Sequence, residues 1–260
     1  MREKIFFRFF QSLVLGLFLV INISSISEAF DFSDWDTLVK KHVAPATVGG
    51  ILINAVDYPN LKKDPLYSGL VSRLKSYPIE SLGSERSRLT FWINVYNILA
   101  AKMITDHYPI ESIKDAGSLF KSVWKQPAGE VGGKERTLNE IEHEILRKMN
   151  EPRIHVAIVC ASVSCPDLRL EAYTVTKLDE QLDDQMEKFL QSREKGMRLD
   201  DKKNRVYISS IFKWFKEDFE SKGGVLKYIS QYTHGEEKKV LNNSKLNIFY
   251  MDYNWDINGR

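Results

Sequence analysis

The chain has 260 residues, 43% apolar and 28% charged, which is ordinary for a globular protein with room for a sizeable core. Its 37 lysines and arginines nearly balance 35 aspartates and glutamates, so no bulk field recruits nucleic acid or an anionic membrane. No long run of like charge and no internal repeat breaks this pattern, which points to a compact soluble domain.

The N-terminus stands apart. Arg2, Lys4 and Arg8 form a basic start, Leu13 to Ile23 is apolar, and Ser27-Glu28-Ala29 supplies a small-x-small cleavage pattern. This predicts a signal peptide over residues 1–29, a single domain over residues 30–260, and a periplasmic or secreted protein. Membrane contact is then expected only through that segment before cleavage. An uncleaved anchor is the alternative, because Phe6 to Ile26 approaches spanning length. No cysteine lies at the cleavage point, which argues against a lipoprotein.

In chain order, Asp34 to His42 has helical spacing behind Ser33 and ends before Pro45, and Gly49-Gly50 makes a turn. Ile51 to Tyr58 is β-like, and Pro65 to Ser76 is helical with proline in the first turn. Glu85 to Asp106 is the longest helical run and is apolar nearly all round, so it is expected to be buried and central. Asn94 and Asn97 fall on one of its stripes and must find hydrogen-bond partners. They either clamp a neighbouring loop backbone or line a polar pocket.

A hairpin is expected between Ser122 and Arg136, turned at Gly132-Gly133 or at Pro127-Ala-Gly129. Thr137-Leu-Asn-Glu140 reads as a capping box opening a helix from Leu138 to Met149. Glu140, His143 and Arg147 share one α-helical face there. They form either a solvated stripe or an acid–base cluster beside a cleft.

Ile154 to Val159 reads as a buried strand, followed by a loop over Ala161-Ser-Val-Ser-Cys-Pro166. Helices are expected at Lys177 to Gln191, Ile211 to Phe219 and Val225 to Tyr232. A hairpin is expected from Met197–Leu199 to Arg205–Ile208, and a strand at Leu246 to Tyr253. The fold class is α+β: a small central sheet including residues 154–160, packed against the 87–105 helix and several amphipathic helices.

Standard phosphate-loop, zinc-protease, serine-hydrolase and dinucleotide signatures are missing, and the cysteine spacing does not fit a zinc site. No metal and no cofactor is expected. What remains is a thiol, Cys160, with histidines nearby in the sequence. A disulfide to Cys165, across five residues, is feasible but tight, and free thiols are the preferred reading.

A nucleophilic cysteine needs a neighbouring imidazole or helix N-terminus. Strand alternation puts His155 on the face opposite Cys160. His143 is therefore the first choice of base and His155 the second, with Glu140 or a central-helix asparagine as orienting group. Ser162 and Ser164 amides would supply an oxyanion site, and Arg147 would bind. The bland alternatives are a buried small hydrophobe for Cys160 and a satisfied core histidine for His155.

Several motifs carry a resemblance. Phe91-Trp-Ile-Asn-x-Tyr-Asn97, Leu138-x-x-Ile-Glu-His143 with Ile145-Leu-Arg147, and Ile154-His-x-Ala-x-x-Cys-Ala-Ser162 closely resemble the DUF547 family of unknown function. Ser164-Cys-Pro166, Ile211-Phe-Lys-Trp214, Asp218-Phe219 and Tyr253-Asn-Trp255 extend the likeness over about Gly50 to Asn258. Asp256-Ile257 departs from the Ser-Leu expected after the final tryptophan. The resemblance implies an exported bacterial type of protein, with plant relatives carrying the domain behind a coiled coil. It also implies that the first cysteine matters more than the second, which serine replaces in the plant versions.

The first functional expectation is a thiol-dependent hydrolase or acyltransferase of the cell envelope. The second is a non-catalytic module whose partner is a peptide or small-molecule ligand of the envelope, with no nucleic acid. A third is thiol–disulfide exchange between Cys160 and Cys165.

Overall fold

The computed structural model describes residues 29–118, 121–243 and 245–260. Residues 1–28, on which the signal-peptide expectation rests, lie outside them. Among the described residues no helix is long and apolar enough to cross a membrane.

The fold is α+β and is organised around the helix Glu85–His107. Ser84 caps it by accepting the Ser87 N–H, and every residue from Leu89 to Ala101 is buried. Around this rod pack the helices Ser33–His42, Tyr58–Lys63 and Pro65–Ser76 and the hairpin of Pro127–Val131 with Lys134–Thr137, forming the larger core. Gly132 and Gly133 make that hairpin's turn, both at positive φ. A smaller core gathers Met186 and Phe189 of the Leu178–Gln191 helix with Phe212, Phe219 and Ile229. The two cores meet at Ile154–Ala157: Ile154 and Ala157 belong to the larger, and Val156 to the smaller.

The expected single sheet is three small ones. Val43–Val48 pairs antiparallel with Ile51–Val56, and the second sheet is the hairpin at Gly132-Gly133. In the third, Arg205–Ile208 pairs antiparallel with Met197–Asp200 and parallel with Asn247–Tyr250. Pro45 therefore sits within a two-stranded sheet rather than stopping a helix, a position open to a residue that lacks an N–H.

The main correction concerns residues 154–160. Ile154–Ala157 is one helical turn, not a strand, and Ile158 leaves it in extended conformation. An apolar run this short carries no periodicity that separates a buried strand from a buried turn. Pro152 settles the matter locally: its carbonyl accepts the His155 N–H, as the Glu151 carbonyl accepts that of Ile154.

The loop that follows pairs with the C-terminal segment instead of a sheet. Val163 N–H donates to the Asp256 carbonyl (2.8 Å), Asn258 N–H to Ala161 (3.0 Å) and Ser164 N–H to Asn254 (3.2 Å).

Candidate active-site cleft

A cleft of about 410 Å³ opens where the two cores meet, a size typical of small-molecule sites. Its lining includes Trp124, Trp214, Trp255, Phe215 and Tyr253, with Glu142, His143, His155, Cys160 and Cys165 among them. Three local irregularities build it.

The first is a π-helix over Glu140–Leu146, opened by Thr137, whose hydroxyl accepts the Glu140 N–H. Its i→i+5 bonds widen the turn, a distortion frequent at functional sites. Glu142 and His143 both line the cleft as a result. Glu142 is buried, and among the described residues the single hydrogen bond to its carboxyl is a long one, from the Tyr96 hydroxyl (3.4 Å). Burial pushes its carboxyl up to about 7, against the pull of Tyr96 and Arg147.

The second is a break between the helices Ile211–Trp214 and Lys216–Glu220. Phe215 at the break stacks on the His155 ring, centroids 4.0 Å apart and planes 17° off parallel. Asp218, in the second of these helices, lies 2.7 Å from His155 Nε2 and takes a two-pronged contact from Arg147, also at 2.7 Å. Burial pushes Asp218 up, but the hydrogen bonds from His155 and Arg147 hold it well below the usual carboxylate range.

Burial holds His155 below its ordinary value even with Asp218 beside it, so it is a neutral imidazole donating Nε2–H to the carboxylate. That tautomer leaves Nδ1 as a bare acceptor, and Nδ1 is buried without a partner. His143 differs. Its Nδ1 accepts from Arg147 Nη1 at 2.9 Å, so Nε2 carries the proton, and burial together with Arg147 lowers its pKa.

The third is Ala161, held at φ +61°, where a Cβ is unfavourable. It turns the chain sharply between Cys160 and the segment paired with residues 254–256. Cys160 and Cys165 are joined as a disulfide, so the preference for free thiols is overturned. The five-residue loop closes because this turn and the pairing with residues 254–258 bring the Cα atoms to 6.3 Å.

Residues 79–190 match the family DUF547, described as proteins of unknown function. Over that stretch, less than half of the chain, the sequence is similar to the DUF547 family. No curated protein and no solved structure matches the chain. The DUF547 stretch contains the central helix, Glu142, His143, His155 and both cysteines, whereas Trp214, Asp218 and Tyr253 come from beyond it.

Of the expected site residues, Cys160, His143 and His155 do line one cleft. Glu140 does not: it pairs with Arg136 and, at 3.6 Å, with Lys134, because the widened turn breaks the α-helical stripe on which it was placed. Arg147 lies behind the lining and ties His143 to Asp218.

Asn94 and Asn97 are loop clamps rather than pocket groups. Asn94 exchanges two hydrogen bonds with the Tyr173 backbone, both 2.9 Å. Asn97 donates to Ala157 O (2.9 Å) and accepts from Val159 N–H (2.8 Å). The Ser162 hydroxyl stands 3.4 Å from Cys160 Sγ. The Ser164 amide is engaged by Asn254, and its hydroxyl accepts the Asn254 N–H, so Ser164 offers no oxyanion donor.

Glu142, Asp218, Trp214 and Tyr253 were missed as site residues. Each stands in a motif that carried the family resemblance, and that was the available signal. Among the described residues no group of three or more histidine, cysteine or acidic side chains is arranged to hold a metal ion.

Proposed function

We propose that this DUF547-like protein is a thiol-dependent hydrolase or acyltransferase that works when the Cys160–Cys165 disulfide is open. The observation that carries the reading is the convergence in one open cleft of Cys160, His143 and a His155 positioned by Asp218. A base–orienter pair in the same cleft as a thiol-forming sulfur fits acyl transfer.

The roles of the histidines are the reverse of the sequence expectation. His155 has the free lone pair and serves as base. His143, with Nδ1 occupied, keeps an Nε2–H to stabilise a developing oxyanion. Glu142, with its carboxyl near 7, is a proton donor for the leaving group at neutral pH.

The aromatic walls favour an acyl donor with an apolar face, a peptide or small molecule of the cell envelope. The leader-like residues 1–29 and the paired cysteines both support an exported setting, periplasmic or secreted. An N-terminus at Phe30 in protein recovered outside the cytosol checks that part.

The chemical test uses 4-nitrophenyl acetate on the reduced protein, with the acyl group located by peptide mapping. Cys160 is expected to acetylate faster than free cysteine at pH 7, and H155Q to slow this about a hundredfold. An acetylation rate equal to that of free cysteine would leave the cleft as a binding module. The module reading has its own support, since Trp214 is 47% exposed and stacks on Trp255 along the cleft wall.

A further inference from the structure

The disulfide divides its two sulfurs into unequal environments. Cys160 is partly exposed and lines the cleft, whereas Cys165 is only 3% exposed. Cys165 Sγ accepts two hydrogen bonds, from the Cys160 N–H and from the Tyr253 hydroxyl, each 3.1 Å. The same hydroxyl stands 3.4 Å from Cys160 Sγ.

Thiol–disulfide exchange proceeds by thiolate attack on one sulfur while the other leaves as a thiolate, and access and leaving-group stability choose which is which. Here access selects Cys160 for attack, and the two donors select Cys165 to leave.

We propose that the cleft carries out thiol–disulfide exchange with an external thiol, with Cys160 as the attacked sulfur, Cys165 as the leaving sulfur and Tyr253 as the hydrogen-bond donor to the departing thiolate. This goes beyond the acyl-transfer reading and shares with it Cys160 and the cleft around it, Glu142 included.

In the first step a substrate thiolate forms a bond to Cys160 Sγ. The Cys160–Cys165 bond breaks, and its electron pair departs on Cys165. In the second, another thiolate of the same substrate attacks the substrate sulfur of the mixed disulfide and releases Cys160. The substrate dithiol loses two electrons and becomes a disulfide. The protein disulfide gains them, and the two substrate protons end on Cys160 and Cys165.

The surroundings suit an anionic reactant. Lys125 lines the cleft, and Glu142, protonated over part of the neutral range, presents less negative charge to an arriving thiolate than an ordinary carboxylate. Burial keeps Tyr253 a phenol, so its proton stays available for donation. The thiol is either a cysteine pair of an exported protein or a low-molecular-weight thiol, and the chemistry is the same for both.

The test takes the full oxidised chain through a reduced/oxidised glutathione series, with iodoacetamide quenching and intact mass. In parallel, a reduced two-cysteine peptide is used at equal thiol concentration. Two-electron interconversion is expected, with the trapped mixed disulfide mapping to Cys160 in the wild type and accumulating in C165S. Faster reduction by the peptide than by glutathione identifies protein cysteines as the substrate, and the reverse order identifies a small thiol.

Y253F is expected to slow Cys165 departure about tenfold, the loss of one hydrogen bond to a developing charge, and to shift the pH profile of reduction upward. Adduct mapping on wild-type protein under limiting reductant covers the case in which C165S does not fold. A disulfide that resists both thiols, an adduct on Cys165, or an unchanged Y253F profile would overturn the proposal. Acetylation of Cys160 is read separately and needs no Cys165, so either activity can fail without the other.

Discussion

On the side of the central helix, the stretch from Ile154 to Cys165 is held by amide groups whose hydrogen bonds pair off. On the side of the cleft, the same stretch meets groups whose bonds do not. Asn97 spends its carboxamide on Ala157 and Val159, and Asn94 does the same for Tyr173. A few residues away, His155 Nδ1 is buried without a partner, the Glu142 carboxyl has one long hydrogen bond, and Ala161 sits in a strained backbone region. Buried polar groups of a scaffold are mostly satisfied, so the unpaired and strained groups on the cleft side fit the site proposed above. Four substitutions test that division.

Asn97→Leu strikes the satisfied side and is expected to be the most damaging. It leaves the Ala157 carbonyl and the Val159 amide unpaired in the interior, at about 1–3 kcal/mol each, or roughly 4 kcal/mol together. Urea unfolding measures this. A loss below about 1 kcal/mol would mean that the loop is not held by the clamp.

Glu142→Gln strikes the other side and should appear as a pH dependence. The folded carboxyl titrates near 7 instead of the ordinary 4.5, so between those values the folded chain binds more protons than the unfolded one. Its contribution is fully present below about 4.5 and disappears as pH rises to about 7, a change of roughly 3 kcal/mol.

His143 and His155 are held below 6.5 when folded and work in the opposite direction, lowering stability as pH falls through that value. The difference between wild type and E142Q cancels their slopes. It should favour the variant by roughly 3 kcal/mol at pH 8 relative to pH 5. A flat difference curve would mean that Glu142 is an ordinary carboxylate.

Asp218→Asn removes the orienting charge from His155 and the partner of Arg147. Acetylation of reduced Cys160 is expected to fall about a hundredfold, because the introduced carboxamide is free to turn its N–H toward His155 and favour the wrong tautomer. Stability should also fall, by about 2 kcal/mol, because Arg147 is only partly exposed and loses a two-pronged partner. A variant that loses stability but keeps the acetylation rate would make Asp218 a structural residue alone.

The sequence made the central helix legible because a surface apolar nearly all round, as from Leu89 to Ala101, has one solution, burial. The hairpin was legible too, but its turn was one of two candidates, and Gly132-Gly133 is the one that forms. Residues 154–160 were not legible as a helical turn, since a short apolar run fits either backbone and Pro152 acts only through local bonds. The cleft was half legible. Cys160, His143 and His155 could be named from residue type, but their geometry could not, because it depends on a π-helix and a helix break that leave no periodic trace. Asp218 is separated from His155 by 63 positions and meets it only through the smaller core.

The choice between Glu140 and Glu142 isolates that geometric point. With α-helical spacing Glu140 shares a face with His143, and Glu140→Gln should then disturb the cleft. With the widened turn Glu140 belongs to the ion pairs with Arg136 and Lys134, away from the lining. Glu140→Gln is therefore expected to cost at most about 1 kcal/mol, the range for a partly exposed ion pair, and to leave acetylation of Cys160 unchanged. Because Glu140 also follows the Thr137 cap, its amide N–H bond survives the substitution and the helix start should hold. A large loss of acetylation in E140Q beside a mild one in E142Q would reverse the assignment and put the α-helical stripe back in the cleft.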